Sequence, residues 1–380
     1  MGVRVCHVTS VHPADDVRIF QRECLSLAKR YEVYLVAPNT DDCVRQGVHI
    51  VGVPLPQGRL KRLLYLNRVF HKAMEVDADI YHLHDPELMS LGLKLKRQGK
   101  RVVFDSHEDV PMQILTKEYL PKWSRGIVKR VYEWMERPRL RRYDALVTVT
   151  PTIVERLQRI NSNCVMVTNY PVYRDTPHVW QEREVKYVCF AGGVDERYMH
   201  ENIIESLRYT RAHYLLAGKS FFPSYMQRLQ SMEMWSKVEY MGVLPPERVH
   251  EIYDKADIGL VLLDYSPNVG YRKGTLGVLK MFEYMMAGIP VVATDFELWK
   301  EIVEGNDCGI CIDPHDVHAI ANAVNYLLDN PARAQQMGEN GRRAVAERFN
   351  WASQEENLLQ LYDSLLTGQR QKDEYVNIQQ

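Results

Sequence analysis

The feature that most constrains the fold is the alternation of short apolar runs with longer amphipathic segments along the whole chain. The segments between the runs have the 3.6-residue periodicity of helices that bury one face. Strand–helix alternation predicts parallel sheets covered by helices on both faces, the α/β class with doubly wound sheets. The apolar runs lie at residues 3–9, 32–37, 48–53, 79–83, 102–105, 145–149, 165–168, 187–191, 214–217, 238–241, 258–263, 290–293 and 309–312.

A break in this alternation divides the chain of 380 residues into two halves. Residues 170–184 contain two prolines and lose the periodicity. Because a single core rarely serves a chain of this length, we expect two facing Rossmann-like domains, 1–172 and 173–350, with ligands at the carboxyl ends of the strands. A helix at 351–368 is expected to pack back onto the first domain, and residues 369–380 are expected to fray.

Composition excludes several classes of function. The formal net charge of −1 gives no overall attraction for nucleic acid. No apolar stretch reaches the length that crosses a bilayer, and no signal peptide is visible, so we expect a cytoplasmic protein. Cys308 and Cys311 lack a second ligand pair, and His82 and His84 lack an obvious third ligand. We therefore predict no metal and no cofactor.

Residues 280–292 predict a helix that ends at Gly288 and leads into a buried strand. Lys280 and Glu283 are three residues apart and share one face near the helix start. A helix start attracts anions through free N–H groups, and Lys280 adds a mobile positive charge there. The carboxylate of Glu283 suits two adjacent hydroxyl groups. The diphosphate and ribose of a nucleotide need this combination, whereas the alternative is an ordinary surface ion pair.

Polar residues also follow several predicted strands, where ligands of parallel sheets collect. The turn after the first strand lacks GxGxxG, which argues against a nicotinamide dehydrogenase, but it offers His12, Asp16 and Arg18. Asp16 has a helix cap as its alternative role. His107 follows the fifth strand and is either a sugar contact or a structural histidine. In the second half, Gly192 and Gly193 allow close approach to a diphosphate, although any tight βα turn uses such glycines.

Taken together, these residues resemble the retaining glycosyltransferases of the GT-B fold, family 4 (group 1), over essentially the whole chain. Segments 12–20, 84–87 and 105–108 are similar to bacterial surface-polysaccharide transferases of that group. The most specific segment is 280–291, which reads Lys-x-Phe-Glu-Tyr-Met-x-Ala-Gly-Ile-Pro-Val. The resemblance implies transfer of a sugar from a nucleoside-diphosphate sugar, with retention and without metal, to a glycan acceptor. This acceptor is expected to be polyprenyl-linked.

The resemblance also implies roles for individual residues. Catalytic roles fall to His107, Asp16, Lys280 and Arg197. Glu283 is expected to hold the ribose, and His12, Arg18 and His84 are expected on the acceptor side. Further donor contacts are implied for Gly192, Gly193, Gly218, Lys219, Val243, Gly277, Val278 and Leu279.

Two departures from the family pattern concern the donor. The first Glu of the family's Glu-x7-Glu motif would fall where this chain has Thr275, a position that commonly binds the transferred sugar. The loop after Gly193 offers only Arg197 to a diphosphate, with Arg272 or Lys273 as substitutes.

Two basic stretches with interleaved large apolar residues, 59–72 and 121–142, suit either an anionic membrane surface or a solvated helix face. Residues 121–142 carry a local charge of +6, and no nucleic-acid recognition motif accompanies it. Two alternative functions stay open. One is a nucleotide-sugar 2-epimerase that needs no acceptor, and the other is a non-catalytic nucleotide-sugar-binding subunit.

Overall fold

The computed structural model describes residues 2–55, 62–117, 119–175, 178–245 and 248–368. It divides into two compact units. The N-terminal unit runs to Asn169 and includes the chain from Ala352 onward, and the C-terminal unit is Tyr170–Trp351. Residues 59–61, the beginning of the basic stretch 59–72, lie outside the described residues, as does the tail at 369–380.

The N-terminal unit contains one eight-stranded sheet in the order β3-β4-β2-β1-β5-β6-β7-β8. Each apolar run predicted for this half contains a strand. The central strands β5 and β7 are buried throughout, as continuous apolar runs predict for parallel strands covered on both faces. The strands are β1 Arg4–Val8, β2 Glu32–Pro38, β3 Cys43–Arg45, β4 Val48–Val53, β5 Ile80–Leu83, β6 Arg101–Ser106, β7 Ala145–Thr148 and β8 Cys164–Met166.

The doubly wound parallel arrangement is confirmed, with one antiparallel pairing at an edge of this sheet. Strand β3 pairs antiparallel with β4, while the other pairings are parallel. All three residues of β3 are exposed, so it carries no apolar pattern that sequence analysis detects. A short exposed edge strand of this kind also limits pairing with other chains.

The N-terminal unit's helices cover this sheet. The segment between β1 and β2 contains a π-helix, Ile19–Cys24, that continues into one short α-helical turn. The last helix contacts this unit through Tyr362, whose hydroxyl lies 2.8 Å from Nδ1 of His82. The α-helices are α1 Leu25–Leu27, α2 Arg62–Val76, α3 Met89–Arg97, α4 Val110–Thr116, α5 Lys122–Leu140, α6 Pro151–Gln158 and, after the C-terminal unit, α14 Trp351–Thr367.

The C-terminal unit contains a six-stranded sheet in the order β11-β10-β9-β12-β13-β14, and every pairing is parallel. Its strands are β9 Lys186–Ala191, β10 Ala212–Ala217, β11 Val238–Gly242, β12 Ile258–Val261, β13 Val291–Thr294 and β14 Gly309–Ile312. Its α-helices are α7 His200–Ser206, α8 Pro223–Gln230, α9 Val249–Lys255, α10 Leu279–Ala287, α11 Glu297–Val303, α12 Val317–Asp329 and α13 Pro331–Glu347.

Each unit has its own apolar core on its own sheet. Two neighbouring inner strands of the C-terminal sheet, β12 and β13, are buried along their whole length. Across the described part of the chain, every helix is too short or too polar to pass through a lipid bilayer.

Candidate functional site

Helix α10 of the C-terminal unit begins at Leu279, which places Lys280 and Glu283 in its first turns as the sequence predicted. Val278 precedes the helix in an extended conformation and supplies no side-chain cap. The first turn holds no acidic residue. Because the first N–H groups of a helix have no partner within it, this start is suited to an anion. The helix ends at Gly288, which adopts the left-handed conformation with φ 81°.

Lys280 extends over two aromatic rings. Its Nζ lies 4.5 Å from the centre of the Tyr198 ring and 5.0 Å from that of Phe190. Nζ also donates to the Tyr198 hydroxyl at 3.4 Å. Among the described residues, no carboxylate lies within ion-pair distance of Lys280. The ammonium group is therefore held by ring faces and a hydroxyl, which leaves its full charge available to an anion.

The turn after β9 is shaped by glycine. A Cβ on Gly192 would lie 2.2 Å from Cε of Lys280, so the missing side chain leaves the space that Lys280 occupies. Gly218 after β10 has φ +142°, and a Cβ there would meet the carbonyl oxygen of Gly192 at 1.6 Å. Backbone hydrogen bonds join the turns, from the Gly192 N–H to Ala217 at 2.9 Å and from the Gly218 N–H to Gly242 at 2.7 Å. The strand-end loops predicted to bind donor therefore lie together.

The carboxylate of Glu283 has a hydrogen-bond donor on helix α9. The Tyr253 hydroxyl donates to Oε2 of Glu283 at 2.9 Å. Burial, together with the nearby Glu283 charge, raises the pKa of Tyr253 well above its ordinary value, so this hydroxyl stays protonated and keeps donating. The second oxygen of Glu283 is then oriented for a further hydroxyl. Sequence analysis did not predict this pairing, because the two residues are 30 positions apart and share no local motif.

Three other predicted donor contacts have local partners. The Arg197 guanidinium pairs with Asp195 of its own turn, through NH2 at 2.8 Å and Nε at 3.0 Å, and its side chain is 64% exposed. The Gly277 N–H donates to Oγ1 of Thr275 at 3.1 Å, so this N–H must exchange partners before it binds phosphate. The substitute cation Arg272 stacks over Tyr265 at 4.3 Å, and its NH1 lies 3.5 Å from Oδ2 of Asp295. Lys219 and Val243 are exposed at their loops.

In the N-terminal unit, Arg18 and Asp105 form a buried bidentate ion pair. Nε of Arg18 lies 2.8 Å from Oδ2 of Asp105, and NH2 lies 2.9 Å from Oδ1. NH1 of Arg18 donates to the Val167 carbonyl at 2.7 Å and to Asn169 at 2.8 Å. Burial would raise the pKa of Asp105, but the Arg18 charge outweighs it and holds that pKa well below the ordinary value. Arg18 was predicted to face an acceptor, yet its side chain is only 5% exposed, so its role is to hold Asp105.

His107, His84 and His7 follow one another in a row of ring contacts beside Asp105. Nε2 of His107 lies 2.9 Å from Oδ2 of Asp105 and 3.2 Å from Nδ1 of His84. Nε2 of His84 lies 2.9 Å from Nδ1 of His7. Burial lowers the pKa of His84 to about 4, so this ring is neutral near pH 7. The prediction that His84 serves an acceptor conflicts with its burial, since the ring touches other histidines and Asp105.

His12 and Asp16 lie at the more exposed end of this row. Nδ1 of His12 is 3.5 Å from Oδ2 of Asp16, and its ring centre is 5.2 Å from that of His107. Oδ1 of Asp16 accepts from the backbone N–H groups of Arg18 and Ile19, both at 2.9 Å. Asp16 is thus a cap, the alternative role that its sequence context left open. Hydrogen bonding to Asp16 raises the pKa of His12.

Metal-ligating side chains do converge in this unit, contrary to the expectation that His82 and His84 lack further ligands. His7 and Glu23 join them, and a second group is His84 with Asp105 and His107. The rings of His7 and His84 are within 18° of parallel, with centres 5.1 Å apart and facing nitrogens 2.9 Å apart. This end-to-end arrangement places a proton between the two nitrogens. In such an N–H···N hydrogen bond only one of the two nitrogens keeps a lone pair, so the two rings as placed do not both bind one cation.

Helix α5 lies within the basic stretch 121–142, and its interleaved apolar residues form an exposed stripe. Trp123, Ile127, Val131 and Trp134 recur at helical spacing and are each at least half exposed, with both tryptophans at 78%. A surface cavity of about 840 Å³ adjoins the stripe. Its lining residues are Glu133, Trp134, Met135, Arg137, Pro138, Arg139, Arg141 and Arg142.

Two parallel-sheet α/β units, with a helix-start cation and carboxylate in the second, define the class of GT-B glycosyltransferases. Comparison with known families agrees. Residues 1–169 match the family described as "Glycosyl transferase 4-like domain", and residues 177–344 match "Glycosyl transferases group 1". The two matches together span most of the chain, and the chain belongs to the GT-B glycosyltransferases.

Individual proteins are similar to the chain over different lengths. It is 22% identical over 364 residues to the phosphatidyl-myo-inositol mannosyltransferase of Mycobacterium leprae, an alignment that covers 90% of each protein. The D-inositol 3-phosphate glycosyltransferase of Corynebacterium diphtheriae is 28% identical over 138 residues, which is 36% of this chain and 30% of that protein.

Solved structures share the fold. Sucrose-phosphate synthase from Thermosynechococcus elongatus superposes with a TM-score of 0.76 at 18% identity, over 96% of this chain and 100% of that one. Anabaena HepE in complex with UDP and glucose gives 0.71 at 12% identity, over 95% and 100%.

Proposed function

We propose that this protein is a retaining glycosyltransferase that moves a hexosyl or N-acetylhexosaminyl group from a nucleoside-diphosphate sugar to a lipid-linked glycan acceptor in bacterial surface-polysaccharide synthesis. The observation that carries the proposal is the start of α10, where Lys280 and Glu283 accompany uncapped helix N–H groups. HepE, a neighbour of the same fold, is described in complex with UDP and glucose. The name of the mycobacterial relative combines mannosyl transfer with a phosphatidylinositol, a lipid acceptor.

The chemistry is displacement of the nucleoside diphosphate from the anomeric carbon of the sugar. Negative charge grows on the leaving phosphate oxygen, and Lys280 with the helix-start N–H groups stabilises that charge. Preorganised donors of this kind contribute roughly 3–4 kcal/mol each in other enzymes. Arg197 adds a second cation once it leaves Asp195. Glu283 orients the ribose, and His107 keeps the sugar-contacting role that the family resemblance implies.

The stripe of α5 supports the membrane part of the proposal. Exposed tryptophans anchor a helix at the level of lipid headgroups, and the arginines that line the adjoining cavity attract anionic lipids. We propose that this face holds the enzyme at the cytoplasmic surface of an anionic membrane, where a polyprenyl-linked acceptor is reached.

A nucleotide-sugar panel tests the donor assignment. Ligands that bind only the folded state raise the melting temperature, so one or a few nucleotide sugars should do so in wild type and not in Glu283→Ala. Transfer to a lipid-linked glycan is then measured with the donor found. Isomerised donor without an acceptor would identify a 2-epimerase, and donor binding without turnover on any acceptor would identify a binding subunit. The relatives named above are transferases or synthases, and neither alternative is favoured.

A further inference from the structure

We propose that Asp105 is a positioning residue that fixes the ring tautomer of His107, so that Nδ1 of His107 is the atom that accepts a hydrogen bond from a hydroxyl of the sugar substrate. The role of Nδ1 rests on the proposed function, whereas the tautomer itself does not. Asp105 belongs to segment 105–108, but no role was predicted for it from the sequence.

The first step is the state of Asp105. Its side chain is fully buried, and the Arg18 guanidinium occupies both carboxylate oxygens at 2.8 and 2.9 Å. Arg18 is anchored at its other end by the Val167 carbonyl and Asn169. A buried carboxylate with a bidentate guanidinium partner is ionised. Asp105 therefore acts only as a hydrogen-bond acceptor.

The second step is the ring of His107. Its Nε2 lies 2.9 Å from Oδ2 of Asp105. If Nε2 carried no proton, two acceptor atoms would lie 2.9 Å apart and repel, whereas a proton on Nε2 is attracted by Oδ2 of Asp105 and can be donated to Nδ1 of His84 at 3.2 Å. Nε2 is therefore the protonated nitrogen, and a neutral imidazole has only one N–H. Nδ1 is left as the acceptor.

The third step is the inner edge of the ring. Nδ1 of His84 lies 3.2 Å from the same Nε2 of His107 and 3.4 Å from Oδ2 of Asp105. Within the described parts of the chain, each polar contact found for the His107 ring is made by Nε2. The His107 side chain is 18% exposed, while those of His84 and Asp105 are fully buried. One edge of the ring is thus fixed inside the unit, and the Nδ1 edge is available to a substrate.

The arrangement has a chemical consequence. A ring locked with Nδ1 as acceptor binds a substrate hydroxyl that donates, and it discriminates against a group that can only accept. Loss of the Asp105 carboxylate removes this preference, because the amide of Asn offers a donor as well as an acceptor. In a Ser-His-Asp enzyme, the same change of Asp to Asn leaves the wrong tautomer and lowers kcat about 10⁴-fold.

The experiment measures the tautomer directly. Full-length protein labelled with ¹⁵N-histidine is examined by NMR near pH 8, and the His107 signals are assigned from their loss in His107→Gln. The expected result for wild type is a protonated Nε2 and an unprotonated Nδ1. In Asp105→Asn the Nδ1 signal should shift toward the protonated form, and kcat for sugar transfer should fall by roughly 10- to 100-fold, with the KM for donor changed less than about threefold.

Asp105→Asn leaves the Arg18 charge unpaired and can unfold the unit, so a second variant, Asp105→Asn with Arg18→Met, removes both charges. Asp77→Asn is the matched control, because Asp77 pairs with Lys100 at an exposed position. A protonated Nδ1 in wild type, or an unchanged tautomer in a folded Asp105 variant, overturns the proposal. If neither variant folds, the wild-type spectrum alone decides. Failure of the proposed function would appear instead as absent donor binding, with the tautomer unaffected.

Discussion

The hydroxyl of Tyr253 donates a hydrogen bond to Glu283 at 2.9 Å, across two helices of the C-terminal unit. The donation fixes one carboxylate oxygen and leaves the other for the ribose. We expect Tyr253→Phe to weaken nucleotide-sugar binding by about 3- to 10-fold, because Glu283 loses a hydrogen bond to a charged group that contributes roughly 1.5–3 kcal/mol, and only part of that loss appears in binding. Calorimetry measures this, with Tyr209→Phe as control on the surface of the same unit. Equal loss of affinity in both variants would contradict the assignment.

Lys280→Ala should lower kcat/KM for sugar transfer by roughly 10²- to 10³-fold, because it removes a preorganised cation from the leaving phosphate. Lys280→Arg should recover only part of this, since the bulkier guanidinium must fit between Gly192 and the ring of Tyr198. Steady-state kinetics with the donor found by thermal shift measures both. Lys255→Ala is the control, because Lys255 pairs with Glu239 at the surface. Full activity in Lys280→Ala would remove α10 from the site.

Gly218→Ala should destabilise the C-terminal unit by about 2–4 kcal/mol. The residue has φ +142°, and its new Cβ would meet the Gly192 carbonyl oxygen at 1.6 Å, so strain and overpacking add. Gly126→Ala on α5 is the matched control, since a Cβ there meets no atom within 4 Å. It should stabilise the protein by about 0.5–1 kcal/mol, as expected for Ala in place of Gly within a helix. Denaturant unfolding distinguishes the two, and equal effects would count against the turn geometry.

Stability of the N-terminal unit should fall as the pH is lowered from about 6.5 to about 4. Burial lowers the pKa of His84 to about 4, and burial also lowers those of His7 and His82. Over this range the unfolded chain binds protons at these rings and the folded unit does not. The free energy of unfolding therefore decreases as the pH is lowered. For His84 alone the loss is on the order of 3 kcal/mol. Unfolding curves at several pH values measure it, and His84→Gln should flatten the slope. A slope equal to that of wild type in a folded His84→Gln would show that this ring is not buried neutral.

The apolar stripe of α5 should mediate binding to anionic vesicles. Trp123→Ser with Trp134→Ser should weaken sedimentation with vesicles of phosphatidylglycerol by about tenfold or more, because each tryptophan loses a large buried area in the interface. Replacing Arg137, Arg139, Arg141 and Arg142 with Gln should weaken vesicle binding more at low salt than at high salt, because salt screens charge attraction. Phe221→Ser, at an exposed position of the C-terminal unit, is the control. Sedimentation unchanged by the tryptophan variants would point to a solvated face.

The sequence by itself determined the α/β class and the position of nearly every strand, because parallel strands covered on both faces must be continuous apolar runs. It also located α10, since Gly288 and Pro290 mark its end, and Lys280 and Glu283 are neighbours on one face near its start. The exposed edge strand β3 was missed, because its residues carry no burial pattern.

Only the tertiary structure decided which partners each polar group has. Tyr253 contacts Glu283 and Arg18 contacts Asp105 because folding brings distant segments together. These partners are 30 and 87 residues apart in the sequence, and no local periodicity in a single sequence predicts such contacts. The same is true of burial: His84 and His12 follow strands in similar contexts, yet one is enclosed by other rings and the other faces solvent. Local spacing fixes backbone conformation, whereas the ionisation and role of a side chain depend on the neighbours that folding brings to it.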